Sequence, residues 1–449
     1  MPLLRASECW ATREFVSKKA QRTQRHRDEH GVTANKFKCD VLIVGAGPSG
    51  LAAAYRVASK GKSVTVVDDN PTVGGQIWRG ETQKPSSADA AKWFERIRNS
   101  KIHFINGARV YQQPTPGTLL AELGNDVCEL TYQKLIIATG ARELFLPFPG
   151  WTLPNVIGAG GLQALVKTGL PIEGKRVVVA GSGPLLLAVA DYLQRSGANV
   201  LCIAEQASKA SMARFGLSLV GNSGKISQAM NLRRRLRHAP FLNGCWPVAA
   251  NGEEQLKTVT LQQGGRTWDV ECDYLACGFH LVANLELAEL LGCNIQNSFV
   301  TVDDLQRTSV PNVYAVGETT GIGGLELSLV EGEIAGLDAV GQTAQARDLF
   351  GFRDTQRKFA RALARAFELR QELRDLTKPD TIVCRCEDVT VERLQSSDSW
   401  RAAKLHTRCG MGPCQGRICG SAVEFLFGWK AESVRPPAFP VRVASMIGD

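Results

Sequence analysis

Cys39-Asp-Val-Leu-Ile-Val-Gly-Ala-Gly-Pro-Ser-Gly50 decides the fold of this chain. Cys39 to Val44 is a short apolar run of the kind that forms a buried parallel strand. The turn Gly45-Ala-Gly47-Pro48-Ser49-Gly50 follows, and an Ala-rich helix is expected from about Leu51 to Lys60, closed by Gly61. Val64 to Val67 form a second strand, ending at Asp68. Gly45 permits the tight turn, Gly47 lets the backbone approach a pyrophosphate, and Gly50 lets helix and strand pack closely. The helix N-terminus adds a positive dipole. Asp68, 23 residues after Gly45, is placed to accept hydrogen bonds from an adenosine ribose.

A second copy of the pattern starts at Arg176-Val-Val-Val-Ala180, turns at Gly181-Ser-Gly183-Pro-Leu-Leu186 and runs through a helix to Arg195. Its second strand, Asn199 to Ala204, ends at Glu205. Leu186 replaces the third glycine, which keeps helix and strand further apart. Glu205 suits a ribose 2′-hydroxyl and would repel the extra phosphate of NADP. Two readings stay open for this copy: a site for NAD(P) or another adenine nucleotide, or a retained domain that no longer uses NAD. Repetition of the βαβ unit implies a duplicated nucleotide-binding domain.

Further strand-to-turn signals are Gly74-Gly75-Gln76, Lys134-Leu-Ile-Ile-Ala-Thr139-Gly140, Asp273-Tyr-Leu-Ala-Cys-Gly278 and Asn312-Val-Tyr-Ala-Val-Gly317-Glu318. The last two read as a return to the first domain, so that the second is inserted within it. The expected organisation is an extension over 1–36 and a first domain over 37–150 and 272–345, interrupted by an inserted domain over 151–271. A helical linker follows over 346–379, then a cysteine module over 380–428 and a Pro-containing tail over 429–449. In the linker Phe352, Phe359, Leu363, Phe367, Leu373 and Leu376 fall mostly on one helical face, and Lys378-Pro379-Asp380 breaks the helix.

At 449 residues the chain can bury several cores. The net charge of +9 is moderate and spread out, without the basic-aromatic interleaving of nucleic-acid binders. Arg233-Arg234-Arg235 and the stretch Arg353 to Arg374 are read as solvated faces. Thirteen cysteines, an odd number in a long chain, point to a reducing cytosol rather than to a disulfide framework. No apolar run approaches a bilayer span, so membrane contact is at most peripheral, at the inner membrane. Residues 1–36 are polar and basic, but Glu8, Glu14, Asp28 and Glu29 do not suit an acid-poor transit peptide. A disordered extension or an over-called start is expected there. His280 and His406 are read as structural, and no catalytic acid, base or nucleophile is assigned.

Cys384-x-Cys386 and Cys409-x4-Cys414 carry the remaining chemistry. Two thiolates from each of two loops suit a [2Fe–2S] cluster; a four-thiolate zinc site is the alternative. Cys419 is a spare thiol with an expected core role.

The order and spacing of the glycine turns resemble the two-dinucleotide-domain flavoproteins of the glutathione-reductase type, over about Phe37 to Gln345. That resemblance implies a doubly wound α/β fold with FAD in the first domain, near Gly75, Gln76, Thr139, Gly140, Gly317 and Glu318. Family members often carry Asp where Glu318 stands. Neither "VGGQIWRG" nor the second domain offers a close cysteine pair beside the flavin, since Cys272 and Cys277 read as core. Disulfide reduction is therefore disfavoured.

The strings "VCRCEDVT" and "RCGMGPCQG" resemble the bacterioferritin-associated-ferredoxin-like [2Fe–2S] module. Together with "ATGARE", "PFPGWTLPNV", "GSGPLLLAVA" and Gly321-Ile-Gly-Gly324, they make the chain similar to the FAD-binding subunit of opine oxidases (octopine or nopaline), D-hydroxyproline dehydrogenases and hydrogen cyanide synthase. The resemblance implies an electron-relaying subunit that works with an amine-oxidising flavoprotein subunit plus a small ferredoxin-like subunit, the amino or imino acid being bound by the partner. A stand-alone NAD(P)H-dependent reductase and a cyanide synthase acting on glycine remain the alternatives.

Overall fold

The structure is a computed structural model that describes residues 25–27, 33–85, 87–218, 223–430 and 434–447. The first domain is built on a sheet whose strand order is His103–Asn106, Val64–Asp68, Thr33–Val44, Asp126–Ile137, Thr118–Leu123, Ala108–Thr115. Val313–Ala315 adds in parallel to Asp126–Ile137. The register pairs Val44 with Val67 and Ile137, and Ile137 with Ala315, so four strand ends open side by side. In an open parallel sheet, that edge is where ligands bind.

The fingerprint helix spans Pro48–Ser59 and starts on Gly47. It packs against the helix Gly324–Ala339, where a side chain on Gly332 would stand 2.1 Å from the Ser49 carbonyl oxygen and one on Gly336 2.6 Å from that of Ala53. Glycines one turn apart are what this close helix pair requires. Leu51 of the fingerprint helix is fully buried with Ile43 and Ile136 on this face of the sheet, and Leu42, Leu135 and Ile137 are fully buried on the opposite face, each contributing roughly 1.5–3 kcal/mol of burial free energy.

The second unit has a parallel sheet in the order Phe241–Asn243, Asn199–Glu205, Arg176–Gly181, Tyr274–Gly278, Val156–Gly158. An antiparallel triplet, Cys245–Asn251, Thr258–Gln263 and Arg266–Glu271, covers one side. Tyr274–Gly278 therefore belongs to the second unit, not to the first as its sequence suggested. The cause is the register of Gly181 on Gly278: a side chain on Gly181 would stand 1.9 Å from the Gly278 carbonyl oxygen. The chain returns later, through the two-stranded hinge Ala141–Glu143 with Leu281–Ala283.

Three further expectations are revised. Part of the N-terminal extension is strand: Arg25–Arg27 pairs antiparallel with Thr33–Val44, while residues 1–24 and 28–32 lie outside the described residues. The linker helix Phe350–Ala366 stops well before Pro379, and a 3-10 turn, Gln371–Leu376, replaces its expected last turns. Its arginines are not all solvated. Arg353 is buried against Asp304 and Asp354, and Arg357 reaches Glu331 at 3.2 Å.

The cysteine module holds the strands Ile382–Cys384 and Val389–Thr390 and the helices Val391–Gln395, Trp400–Thr407 and Cys419–Phe427. The tail returns to the first domain. Ala438 N–H donates to the Tyr111 carbonyl, the Tyr111 hydroxyl donates to the Ser445 carbonyl, and Arg442 pairs with Glu122 at 2.8 Å. Among the described residues no helix is long and apolar enough to cross a membrane.

Candidate functional site

At the open edge of the first sheet the glycine turn is held from below. Gly45 has φ +112°, and a side chain there would stand 2.1 Å from the Ala138 carbonyl oxygen. One on Gly50 would stand 1.9 Å from the Gly45 carbonyl oxygen. Gly47 differs: its nearest neighbour in that direction is Gly75 Cα at 4.0 Å. The Asp68 carboxylate accepts from Ala46 N–H at 2.5 Å and from Asn70 N–H at 2.7 Å, which fixes it beside the turn. Pro48 and Ser49 open the helix, and Ser49 is buried. Gly74 N–H donates to the Ala46 carbonyl, bringing Gly75 over the turn, and Gln76 follows, accepting from Arg79 at 3.1 Å.

On the far wall Gly317, at φ +71°, would press a side chain to 2.7 Å from Ser49 Oγ. Its N–H donates to Glu331. Burial pushes the next residue, Glu318, up to about 7. No hydrogen bond to the Glu318 carboxylate exists among the described residues, and a recessed acceptor in that state suits a hydroxyl donor from a ligand. Thr139 lies against the turn, its backbone N 3.2 Å from where a side chain on Gly45 would stand, and its hydroxyl donates to the Asn284 carbonyl at 2.8 Å; Gly140 follows it. A glycine cradle with one acid at each end fits a dinucleotide such as FAD.

The second turn holds its acid in the same way, one residue further along the turn. Gly183 N–H donates to Glu205 Oε2 at 2.7 Å, and Ala207 N–H to Oε1 at 2.8 Å. Both carboxylate oxygens are thus engaged, and burial pushes Glu205 up to about 7. Leu186 is fully buried where the third glycine would be.

In the cysteine module the sulfurs of Cys384, Cys409 and Cys419 lie within 4.8 Å of one another, and all three residues are buried. Cys386 is exposed and meets Cys414 through side-chain and backbone hydrogen bonds. Hydrogen bonds from Cys409 and then Cys419 hold the Cys384 thiol down, to about 2, whereas the bond to Cys384 pushes Cys409 up to about 12. The glycines here serve packing: Gly410 and Gly416 lie under the Trp400 ring, and a side chain on Gly412 would stand 2.4 Å from Cys386 Cβ. Thus Cys384 and Cys409 come together with Cys419, for which the sequence suggests only a core role, while Cys386 and Cys414 pair with each other beside them. Cys419 is the first residue of the helix Cys419–Phe427, and its hydrogen bonds to Cys384 and Cys409, together with burial, push its thiol far up.

The module is docked between the two units. Arg142 Nε donates to the Arg417 carbonyl at 3.0 Å while its Nη1 donates to Asn284 Oδ1 at 2.7 Å. Trp151 Nε1 donates to the Ile382 carbonyl. Arg417 Nε and Nη2 are buried without a hydrogen-bond partner among the described residues; Nε is ion-paired with Glu286 at 3.6 Å, and the guanidinium also lies within Coulombic reach of Cys414. A buried guanidinium with donors not hydrogen-bonded, beside a thiol cluster, suits an anionic metal–sulfur centre, so the donor set and its surroundings fit the group expected from sequence. Cys272 and Cys277 are core residues of the second unit, as expected.

Residues 39–330 match the family described as Pyridine nucleotide-disulphide oxidoreductase. The chain is 28% identical to an opine oxidase subunit of Rhizobium meliloti, over 91% of its own length and 87% of the relative. It is also 28% identical to Hydrogen cyanide synthase subunit HcnB of Pseudomonas protegens, over 84% of its length and 89% of the relative. L-proline dehydrogenase from P. horikoshii shares the fold, with a TM-score of 0.66 at 17% identity over 92% of this chain and 80% of that one.

Proposed function

The chain belongs to the pyridine nucleotide-disulphide oxidoreductase family and is an FAD-dependent oxidoreductase; from that premise we propose that it is the electron-relaying subunit of a hetero-oligomeric amino- or imino-acid dehydrogenase. The observation that carries this reading is the join between a dinucleotide cleft and a five-thiol module through Arg142 and Arg417. The relatives named as subunits of opine oxidase and hydrogen cyanide synthase support a partner that carries the substrate chemistry. FAD, when bound, accepts electrons in pairs and releases them singly, which a [2Fe–2S] cluster can take up one at a time.

The chain's own residues divide the work. Gly45, Gly47 and Gly50 would admit the pyrophosphate, with Asp68 at the adenosine end and Glu318 toward the hydroxyl chain. Gly75 closes over the turn and would exclude water from it. Cys384, Cys386 and Cys414 would ligate the cluster. For the fourth ligand we take Cys419, which stands with Cys384 and begins the helix Cys419–Phe427; Cys409, in the same buried triad, is the alternative. Arg417 would donate to the cluster's sulfur shell. The amino or imino acid would be held by the partner, and a small ferredoxin-like subunit would suit the onward step.

The test is composition. The purified chain should contain FAD, and iron and acid-labile sulfide in a one-to-one ratio. Zinc without sulfide would replace the cluster by a structural zinc site and sink the relay.

A further inference from the structure

We propose that the second dinucleotide-type unit takes no pyridine dinucleotide, because the chain's own segment after the helix Phe350–Ala366 is seated on its glycine turn. This goes beyond the relay reading and bears on how electrons enter.

The two turns of one chain can be compared directly. In the first, Ala46 N–H is held by Asp68, and Gly47 faces the cleft. In the second, Ser182 N–H donates to the Gly278 carbonyl at 2.7 Å, and Gly183 N–H is taken by Glu205, whose extra methylene reaches one residue further along the turn than Asp68 does. Pro184 has no N–H to offer. Two backbone donors of this turn, on Ser182 and Gly183, are therefore engaged within the protein.

What stands on the turn instead is the Phe367 carbonyl. It accepts from the Ser182 hydroxyl at 3.0 Å and from Gln206 Nε2 at 3.3 Å, and His280 Nε2 lies 2.9 Å away. Burial lowers His280, so this is a neutral ring nitrogen bound to a carbonyl oxygen. Gln206 also donates to the Glu368 carbonyl at 3.1 Å, and Arg370 Nε returns a bond to the Gln206 carbonyl at 2.8 Å. The side chains lock the segment in place: Phe367 packs edge-on against Phe215 with ring centroids 5.5 Å apart, and Leu373 is fully buried in the core of the second unit. A dinucleotide entering here would have to strip three donors from one carbonyl and expose both side chains to water. The unit thus serves as the anchor for the strap that leads from the flavin domain to the cysteine module.

Equilibrium dialysis of the full, flavin-loaded chain against NADH and against NADPH tests this, combined with hydrogen exchange of the amides over 367–373. The expected result is affinity weaker than about 1 mM for both nucleotides, with slow exchange over 367–373 that neither changes. In the Ser182→Ala, Gln206→Ala double variant, exchange over 367–373 should rise by about tenfold or more. Stoichiometric micromolar binding of either nucleotide, or unchanged exchange in the double variant, would overturn the proposal. The two readings fail separately. Nucleotide binding would leave the flavin and iron content untouched, whereas a chain without iron and sulfide would still have its second turn covered.

Discussion

Arg142 Nε and the carbonyl of Arg417 are 3.0 Å apart, and this bond joins the hinge of the flavin domain to the turn that follows Cys414. The same guanidinium holds Asn284, which in turn ties Thr139. The end of the flavin-side sheet and the thiol module therefore share one rigid junction.

Replacing Arg142 by alanine should loosen that junction without emptying the dinucleotide cleft. Removing the donors to the Arg417 carbonyl and Asn284 Oδ1 and the ion pair with Glu286 should cost about 1–3 kcal/mol. Denaturant melts and proteolysis between Leu376 and Ile382 would measure it, with FAD content unchanged. Arg142→Lys should not rescue the loss, because a single ammonium cannot serve both partners in this geometry.

The glycines of the first turn should separate folding from cofactor binding. Gly50→Ala places a methyl 1.9 Å from the Gly45 carbonyl oxygen, against backbone that cannot yield. It should destabilise the chain by about 1–3 kcal/mol or more. Gly47→Ala meets nothing nearer than 4.0 Å and has an ordinary negative φ. It should fold with unchanged stability in the flavin-free state and yet lose FAD, as read by the flavin absorbance of the purified protein.

Glu205 makes stability depend on pH in a definite direction. Its carboxyl is pushed up to about 7 from an ordinary value of 4.5. The folded state therefore binds the proton more tightly, and stability falls as pH rises from about 4.5 to about 7, by at most about 3 kcal/mol. Urea melts across that window should show the slope, and Glu205→Gln should reduce it, leaving the part that Glu318, also pushed up to about 7, contributes.

The cysteines give a sharp pair of variants. Cys419→Ser should abolish the iron and sulfide content, as should Cys384→Ser. Cys409→Ser should keep both. Metal analysis and visible absorbance of each purified variant would decide, and retention of the cluster in Cys419→Ser would return Cys409 to the ligand set.

Much of the first domain was legible because strand, glycine turn, helix and terminal acid are local and adjacent from Cys39 to Asp68. What failed depends on contacts distant in sequence. Tyr274–Gly278 is an apolar run buried on both faces, and such a run does not say which sheet it joins. Its place follows from Gly278 meeting Gly181, 97 residues away. The apolar spacing from Phe352 to Leu376 suggested one helix, yet the Phe367 carbonyl is claimed by Ser182 and Gln206 and so leaves the helical ladder. The thiol ligands were ambiguous for a simpler reason: Cys409, Cys414 and Cys419 make two consecutive x4 spacings, and only the folded module shows that Cys419 stands with Cys384. The Arg142–Arg417 junction carries no local signature at all.

The most direct test is anaerobic absorbance and paramagnetic-resonance spectroscopy on the complex purified through a tag on this chain. Octopine, nopaline, D-hydroxyproline and glycine would be added in turn. The account predicts that one of them bleaches the flavin band and raises the resonance of a reduced [2Fe–2S] cluster, while NADH and NADPH added to the isolated chain do neither. Rapid stoichiometric bleaching of the isolated chain by NADH or NADPH would contradict it and make this protein a self-contained reductase.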